Sequence, residues 1–499
     1  MHSRMIKMAS NQAASVKRTV SVLVVCQRVR PSVRTLLFNL IFDACLLAGS
    51  GLIAAPLVQA HTAPDGEPLS TRFTVTAENQ NVPVYVAKVA PEDRALRFKS
   101  VDDVATSGTY FEKAGFASFD CRGEVNVTVT CPEPVTRAKI LPSRSGIVPA
   151  VSGNRVSFKV PAPCLLTLEI NGDWVHSLHL FANDPENNLP QPGDPDVIYF
   201  GPGIHEIEQL RVTSGKTVYL ADGAVVRGKP NPHHTPTFSL QGNDITLRGR
   251  GILDGSLCPI HTQNLLSVCG TNIVIDGITV RDSSVWTVPV RRSRNVKITN
   301  FKLFGSRANS DGIDICNSQG VLVSNCFLRT LDDLVVIKTD KGQGPAEDIV
   351  VKNCVLWNEV AHALSIGAEL SEPVKNVRFS DCDVIHDKGR EWTLRVFHCD
   401  SALISDVVFE DIRVEETAKF ISLWIGSFVW SRDPERGHIQ LVRFKNIHAT
   451  SEQAQIELKG FDARHLIEDV AFEHVTVNGT PITARDVRQN EFVKDVKFR

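Results

Sequence analysis

The chain of 499 residues carries 54 lysines and arginines against 56 aspartates and glutamates, which gives a formal charge of −2. Hydrophobic residues make up 42% and charged residues 22%, close to the average of soluble globular proteins, which excludes a disordered, collagen-like or polytopic membrane protein. The balance of charge argues against nucleic acid as a partner, because nucleic-acid-binding proteins present a basic face. Twelve cysteines in so long a chain do not indicate a disulfide-dense scaffold.

The first sixty residues have the order of a secretory signal. Three arginines precede an apolar stretch over residues 35–60, and Val58-Gln59-Ala60 is a small-x-small cleavage pattern. The stretch is also long enough for an uncleaved membrane anchor, an alternative that is weakened by Asp43 and by the Gly, Ala and Pro content. We therefore predict a signal peptide over residues 1–60 and a secreted or periplasmic protein that is free of the membrane after cleavage.

Residues 61–185 contain short alternating runs separated by turn residues, for example Glu124–Thr130. Such alternation is typical of half-buried strands, and several of them in one segment predict a small β-sandwich-like domain. Cys121 and Cys131 flank one run and could form a disulfide. Residues 186–196 are rich in proline and poor in apolar residues, which predicts a linker.

From about residue 197 the sequence repeats a seven-residue unit, in which a polar residue is followed by an alternating β-branched or aromatic pair and then by an apolar residue. Successive copies begin 23 to 35 residues apart, and no helical pattern separates them. A β-repeat of this period predicts a parallel β-helix over residues 197–499, so the whole chain is expected to be all-β. The copies begin at Asn272, Asn295, Gly320, Asp348, Asn376, Asp406, Leu441 and Asp469, with a weaker one at Asn243.

Two positions of the repeat carry further information. The sixth is Asn, Asp, Gly or His in every copy, which predicts a left-handed bend between two strands, with stacked asparagines able to bond one another. The seventh holds Cys326, Cys354 and Cys382 where the other copies have plain hydrophobic residues. Because the same position is hydrophobic in the other copies, inward packing of the cysteines is favoured over metal ligation.

Acidic residues and one histidine lie at nearly the same point of three successive turns. Asp311, the pair Asp332-Asp333 and His362 follow the central strands of their repeats by 13, by 9 and 10, and by 11 residues. Because stacked turns lie ~4.8 Å apart, these side chains are expected to share one patch. Carboxylates this close together do not all ionise at neutral pH, so one is expected to keep its proton. A protonated carboxyl beside an ionised one is the pair that glycoside hydrolases use as acid and base. Adjacent residues of a strand face opposite ways, so Asp332 and Asp333 share the patch only if the chain bends there.

The order of these motifs resembles the polygalacturonase family of pectin hydrolases, glycoside hydrolase family 28. The resemblance covers roughly residues 197–499. It implies a right-handed parallel β-helix and the inverting hydrolysis of α-linked, pectic or galacturonide-type polysaccharides or oligosaccharides. Neither a cofactor nor a metal is predicted. The matching segments are Asn309-Ser310-Asp311, Asp332-Asp333, Ala361-His362-Ala363 with Ser365-Ile366-Gly367, and Arg395-Val396-Phe397.

The resemblance also implies roles for the acids and the histidine. Asp332 would be the general acid that protonates the leaving oxygen. Asp311 and Asp333 would hold and deprotonate the attacking water. His362 would maintain the protonation of the acid through the hydrogen-bond network.

On the substrate side, the same resemblance makes Arg395 a substrate-binding residue, with Asn309 and Lys338 as further candidates. Asp314 is expected to be structural. Phe397 stands where the family has a lysine that helps to hold the galacturonate carboxylate. Fold and acid chemistry therefore transfer better than specificity, and a dextranase-like hydrolase of a neutral α-glycan is an alternative.

Two other classes of protein compete with the hydrolase. A β-helix polysaccharide lyase would cleave by β-elimination, usually with calcium and a basic residue, and only Arg395 suits that role. A non-catalytic glycan-binding β-helix gives no reason for acids on adjacent turns. Trp392, Trp424 and Trp430 could stack on sugar rings or simply pack. The expected partner is a glycan, and the expected state is a monomer.

Overall fold

The computed structural model describes residues 57–92, 111–160, 163–387 and 389–499. Within them the chain is almost entirely β-structure, with one 3₁₀ turn at Ser143–Ser145. No helix in these described segments is long and apolar enough to cross a lipid bilayer. The prediction of an all-β chain, with a small sandwich before a right-handed parallel β-helix, is confirmed.

The N-terminal domain packs a six-stranded sheet on a five-stranded sheet. Its core forms from the alternate residues of each strand. In one strand, for example, Val125, Val127 and Val129 are buried while the residues between them are not. Cys121 and Cys131, for which a disulfide was considered, are both free thiols. The strands are β1 (Leu57–Ala60), β2 (Thr74–Ala77), β3 (Gln80–Val82), β4 (Tyr85–Val89), β5 (Glu112–Arg122), β6 (Val125–Thr130), β7 (Ala138–Leu141), β8 (Ala150–Ser152), β9 (Arg155–Val160), β10 (Cys164–Ile170) and β11 (Asp173–Asn183).

The first strand overlaps the predicted signal peptide. β1 pairs antiparallel with β5, and Val58 is buried in the sandwich core. Cleavage after Ala60 would therefore remove an edge strand of this domain. The rest of the predicted signal, residues 1–56, lies outside the described residues, so the signal peptide stays a prediction.

The β-helix adds one strand per turn to each of three parallel sheets, which we call sheets A, B and C. Sheet A contains β12 (Val197–Phe200), β15 (Thr217–Leu220), β22 (Arg294–Thr299), β25 (Gln319–Ser324), β28 (Ala346–Lys352), β31 (Val374–Ser380) and β41 (Val493–Phe498). Sheet B contains β13 (Gly203–Ile207), β16 (Ala224–Gly228), β18 (Ile252–Asp254), β20 (Thr279–Arg281), β23 (Lys302–Phe304), β26 (Phe327–Thr330), β29 (Val355–Asn358) and β32 (Asp383–Asp387).

Sheet C and the strands that bend between sheets complete the helix. Sheet C contains β14 (Leu210–Val212), β21 (Val288–Arg291), β24 (Ile313–Cys316), β27 (Val335–Thr339), β30 (Leu364–Leu370), β33 (Leu394–His398), β35 (Lys419–Ile425), β37 (Gln455–Lys459) and β40 (Arg488–Gln489). Longer strands run from sheet C into A, namely β17 (Phe238–Gly249) and β19 (Leu266–Asp276), or from A into B, namely β34 (Leu403–Val414), β36 (His438–Ala449) and β38 (Ile467–Val477). A short β39 (Thr480–Pro481) pairs antiparallel with the end of β38.

The repeated unit forms sheet A, and its sixth residue makes the predicted bend. In all eight strong copies this residue has a positive φ, between 49° and 84°. Side chains stack along the bend, where Asn353 Nδ2 donates to Asn325 Oδ1 at 2.6 Å. The first residue of each copy is also left-handed, with φ between 51° and 65°, which the sequence reading did not anticipate. The stacked cysteines Cys326, Cys354 and Cys382 are fully buried in the core, as predicted.

The sandwich packs on the outer face of sheet B through aromatic rings and buried ion pairs. Phe116 stacks on Phe304 with ring centroids 5.2 Å apart. Arg281 of sheet B pairs with Glu67 at 2.5 Å, with both side chains almost fully buried. The last strand of the sandwich ends at Asn183 and the first of the helix begins at Val197, with no strand between them.

The left-handed bend predicts a specific stability difference at Asn446, which is exposed and has a φ of 49°. Asn446→Val should cost about 1–2 kcal/mol, because a β-branched residue resists this conformation. Asn446→Gly should cost much less, since glycine accepts a positive φ. Thermal unfolding midpoints of the two variants give the comparison, and Lys445→Val, on the neighbouring strand residue, is the matched control. Equal losses at Asn446 for Val and Gly would contradict the bend as the cause.

Candidate active site

The acids and the histidine form one column at the start of sheet C. Strands β24, β27 and β30 pair in register through Ile313, Val335 and Leu364. Asp311, Asp333 and His362 each stand two residues before these positions. Backbone bonds continue the register, since the Leu334 amide donates to the His362 carbonyl at 2.9 Å. The sequence offsets thus predicted the juxtaposition correctly.

The chain bends at Leu331 and Asp332, which turns both acids of the pair toward the column. The Asp333 amide donates to Asp332 Oδ1 at 3.0 Å, and Leu331 packs against Ala90 of the sandwich. One carboxyl oxygen from each of Asp311, Asp332 and Asp333 lies within 4.8 Å of the other two. The bend therefore satisfies the condition under which neighbouring aspartates share a cleft.

Asp333 is held by donors. His362 Nδ1 donates to Asp333 Oδ1 at 2.5 Å, while His362 Nε2 is buried without a hydrogen-bond partner in the described residues. Burial works to raise the pKa of Asp333, but the bond from His362 and the nearby Arg395 and Lys338 outweigh it and hold this pKa below its ordinary value. The direct contact of the histidine is with Asp333, and its predicted effect on the protonation of Asp332 through the hydrogen-bond network stays a prediction.

Asp332 has the opposite character. Burial and the adjacent Asp333 raise its pKa to about 6. Below about pH 6, a protonated carboxyl therefore stands beside an ionised one. Such a split between two neighbouring acids is the arrangement on which general acid–base catalysis depends.

Asp311 belongs to a second buried group. Lys338 Nζ donates to Asp311 Oδ2 at 3.2 Å and to Asp314 Oδ1 at 3.0 Å, and it lies 3.8 Å from the ring centroid of Trp286. Burial, together with the proximity of Asp314, raises the pKa of Asp311 well above its ordinary value. Lys338, predicted to contact substrate, donates hydrogen bonds to these two carboxylates, and its contact with substrate stays a prediction. Asp311 Oδ1 is buried without a hydrogen-bond partner in the described part of the chain.

Arg395 lies two strands beyond the acids, on β33. Its Nε donates to Ser365 Oγ at 3.0 Å and its Nη2 to the Gly367 carbonyl at 3.2 Å. Gly367 has a φ of 104°, and a Cβ there would come within 1.8 Å of the Phe397 carbonyl oxygen, so only glycine fits. Phe397 is 3% exposed and stacks on Trp424 with centroids 4.3 Å apart. The lysine of the family pattern is thus replaced by a packed aromatic ring.

Other residues of the site extend beyond the motifs. Asn309 has a left-handed backbone, with a φ of 54°, and lies exposed at the rim. Trp286 and Trp392, both half-buried, occupy the position two residues before sheet C on the turns that flank the column. The sequence reading missed Trp286. Extending the same offset one turn toward the N-terminus would have found it.

Three converging carboxylates are oxygen ligands of the kind that hard divalent cations prefer. Lys338 and His362 already contact two of the three at hydrogen-bond distance, however, and so supply local donors without an ion. The column therefore has what acid–base chemistry requires, and the expectation of no metal stays a prediction.

Comparison with known proteins shows which family this part of the chain resembles. The sequence profile of "Glycosyl hydrolases family 28" matches residues 256–492, a range that contains the whole column and Arg395. The match covers a little under half of the chain and shows that these residues are similar to that family. Individual relatives are distant and matched only in part. A polygalacturonase of Gossypium barbadense is 27% identical over 193 residues, which is 36% of this chain and 45% of the relative.

Further relatives agree with this assignment. A polygalacturonase of Medicago sativa is 22% identical over 272 residues, 48% of this chain and 63% of the relative. The chain thus spans roughly half the length of the curated polygalacturonases it matches. Among solved structures, Dex49A from Penicillium minioluteum aligns with a TM-score of 0.63 at 15% identity, over 88% of this chain and 96% of that one. This alignment shows the shared fold, and it covers more than the β-helix alone.

The buried acid predicts a pH-dependent stability. Asp332, with a pKa of about 6 against ~3.9 when unfolded, disfavours the folded state once it ionises. Asp332→Asn should therefore raise the free energy of unfolding by ~2 kcal/mol near pH 7.5. The gain should shrink as the pH falls toward about 4, where the carboxyl is protonated in both states. Denaturant unfolding across this pH range measures it. The exposed Asp348→Asn is the matched control, and a gain that is independent of pH would count against the assignment.

Proposed function

We propose that the protein is a glycoside hydrolase that cleaves α-linked glycans of the pectic, galacturonide type by acid–base catalysis with inversion. The observation that carries the proposal is the adjacent pair Asp332-Asp333, in which burial raises the pKa of Asp332 to about 6 while the bond from His362 holds the pKa of Asp333 below its ordinary value. The match of residues 256–492 to family 28 supports the reaction class. Export, as the N-terminal sequence predicts, belongs to the same proposal, because a polysaccharide substrate is met outside the cell.

In this mechanism the Asp332 carboxyl donates its proton to the glycosidic oxygen as the bond to the anomeric carbon breaks. A water molecule attacks that carbon and gives a proton to the Asp333 carboxylate. Asp311, with one oxygen free of partners, positions the water, and Lys338, which also donates to Asp314, offsets its charge. His362 orients Asp333 and keeps it ionised, and its Nε2 is available to accept a sugar hydroxyl. Arg395 binds substrate, and Asn309 contacts it at the rim.

A dextranase-like hydrolase of a neutral α-glycan is the second candidate. Phe397 favours it, because a stacked ring stands where the family has a cation for the galacturonate carboxylate. A lyase is less well supported. The Arg395 guanidinium is engaged by Ser365 and Gly367, and the mechanism would leave the protonated Asp332 without a role.

The acids give the first functional prediction. Asp332→Asn should abolish hydrolysis of the best glycan in a panel of pectic and neutral α-glycans, because an amide cannot deliver the proton. Asp311→Asn and Asp333→Asn should each reduce the rate at least about a hundredfold. Reducing-end assays measure the rates, with Asp348→Asn as a control that changes a carboxylate outside the site. Turnover close to wild type in the Asp332 variant would refute the assignment.

The stereochemistry of the reaction gives the second functional prediction. We expect inversion, on the strength of the family resemblance. Inverting sites hold their two carboxyl groups roughly 6.5–9.5 Å apart to leave room for water, against ~5–5.5 Å in retaining sites. Proton NMR of the first-formed anomer therefore decides between the two. Retention of the substrate's configuration would replace the attacking water with a carboxylate nucleophile.

Substrate specificity gives the third functional prediction. A charge-assisted bond to a carboxylate is worth roughly 1.5–3 kcal/mol, or about ten- to a hundredfold in rate. Wild type should therefore be weak on plain polygalacturonate, and Phe397→Lys should gain on it while losing on the preferred glycan. Phe397→Met removes the ring without adding charge and is the control for loss of stacking. If wild type already degrades polygalacturonate efficiently and the lysine variant gains nothing, position 397 does not set specificity.

A further inference from the structure

An apolar cluster lies on the outer face of sheet C, separate from the core inside the helix. It comprises Ala368, Phe397 and Cys399, with Trp424 packed against them. Phe397 and Trp424 stack face to face, at an interplanar angle of 5°. Ala368, Phe397 and Cys399 are themselves buried, so any surface for a partner has to lie where the cluster reaches solvent.

The cluster continues outward onto the loop between β35 and β36. Phe428 meets Phe397 and Trp424 edge-on, at 6.0 and 6.4 Å, and its ring lies 4.8 Å from that of Trp430. Phe428 is 45% exposed and Trp430 52% exposed, with Val429 between them at 81%. Three consecutive large apolar residues thus face solvent at the end of a ring-to-ring path that starts inside the site.

The loop that carries them is fixed by polar contacts. Asp400 Oδ1 accepts the amides of Arg432 and Asp433, at 2.5 and 2.9 Å. Lys341 Nζ lies 3.1 Å from Asp433 Oδ1, and the Arg432 guanidinium pairs with Asp340. Aromatic rings held in place before a ligand arrives bind it with less loss of conformational entropy.

The position of the rings relates them to the acids. The Arg395 guanidinium lies 5.4 Å from the centroid of the Phe397 ring, which begins the path. β33 and β35, which bear Phe397 and Trp424, are two and three strands beyond β27, whose start holds Asp333. That places them about 10–14 Å along the helix axis. A glycan chain lying along sheet C from the acids would reach the rings a few sugar units from the cleaved bond.

We propose that Phe428 and Trp430 form a distal sugar-binding platform that takes an uncharged pyranose ring of the glycan. The inference rests on the proposed glycoside hydrolase function and narrows its substrate. A pyranose without a carboxylate offers an apolar face of C–H groups to an aromatic ring. A uronate there would need a cation, and the two cations that hold the loop, Arg432 and Lys341, are already paired with acids. Lys459, 5.4 Å from the Trp424 ring, is the cation that a uronate would use.

Binding to the inactive Asp332→Asn protein tests the platform. Isothermal calorimetry compares neutral isomalto- and maltooligosaccharides with oligogalacturonates of the same length. Adding Trp430→Ala or Phe428→Ala should weaken binding of a neutral series about tenfold and change oligogalacturonate binding less. Leu403→Ala, which trims an equally exposed apolar residue at the start of β34 in sheet A, is the matched control and should change neither.

Several outcomes overturn the proposal. These are no binding of either neutral series, unchanged binding in the Trp430 and Phe428 variants, or a loss confined to oligogalacturonates that Lys459→Gln reproduces. Failure of the enzyme proposal is seen separately, in wild-type hydrolysis assays. If wild type cleaves no glycan, yet neutral oligosaccharides bind through Trp430, the platform stands and the hydrolase assignment falls.

Discussion

The regular stacking of turns, one strand spacing apart, is the constraint on which the rest of this structure depends. Once β24, β27 and β30 pair in register, any position of the turn becomes a column along the axis. One column is the hydrophobic core, one is the left-handed bend, and one carries the acids. Side chains more than twenty residues apart in sequence are thereby held closer than many sequence neighbours, by backbone hydrogen bonds alone.

The same stacking creates an electrostatic problem and its solution. Burial of several carboxylates together is unfavourable unless protons or cations reduce their charge. The cations are unevenly placed. Lys338 donates to Asp311 and Asp314, while His362 and Arg395 favour the ionised form of Asp333. Among the residues that the structure describes, Asp332 has no cationic partner at hydrogen-bond distance, and its pKa is raised. The difference in pKa between the adjacent aspartates thus follows from which of them a neighbouring turn supplies with a donor.

Much of this could be predicted from the sequence, because the repeat itself sets the register. The sixth and seventh positions gave the bend and the core, and counting from Val323 and Val351 located the acids and His362. The reading failed where contacts are not periodic. Nothing in the spacing indicates that His362 bonds to Asp333. The loop that brings Phe428 onto Phe397 follows no repeat, and the left-handed first position was hidden by its mixed composition, Leu441 included.

The interface between the sandwich and the β-helix could not be predicted from the sequence either. The residues that meet there are more than a hundred positions apart and share no pattern. Lys302, Arg329 and Arg281 of sheet B are buried beneath the sandwich, where Lys302 Nζ bonds to Asn183 Oδ1 at 2.5 Å. Burial, together with the nearby charge of Arg250, lowers the pKa of Lys302 to about 7. A fragment that starts at residue 197 would lose these partners and expose the ring of Phe304. The sandwich is therefore a structural cover for the helix, and the two domains should melt as one cooperative unit that cannot be trimmed to a minimal catalytic core.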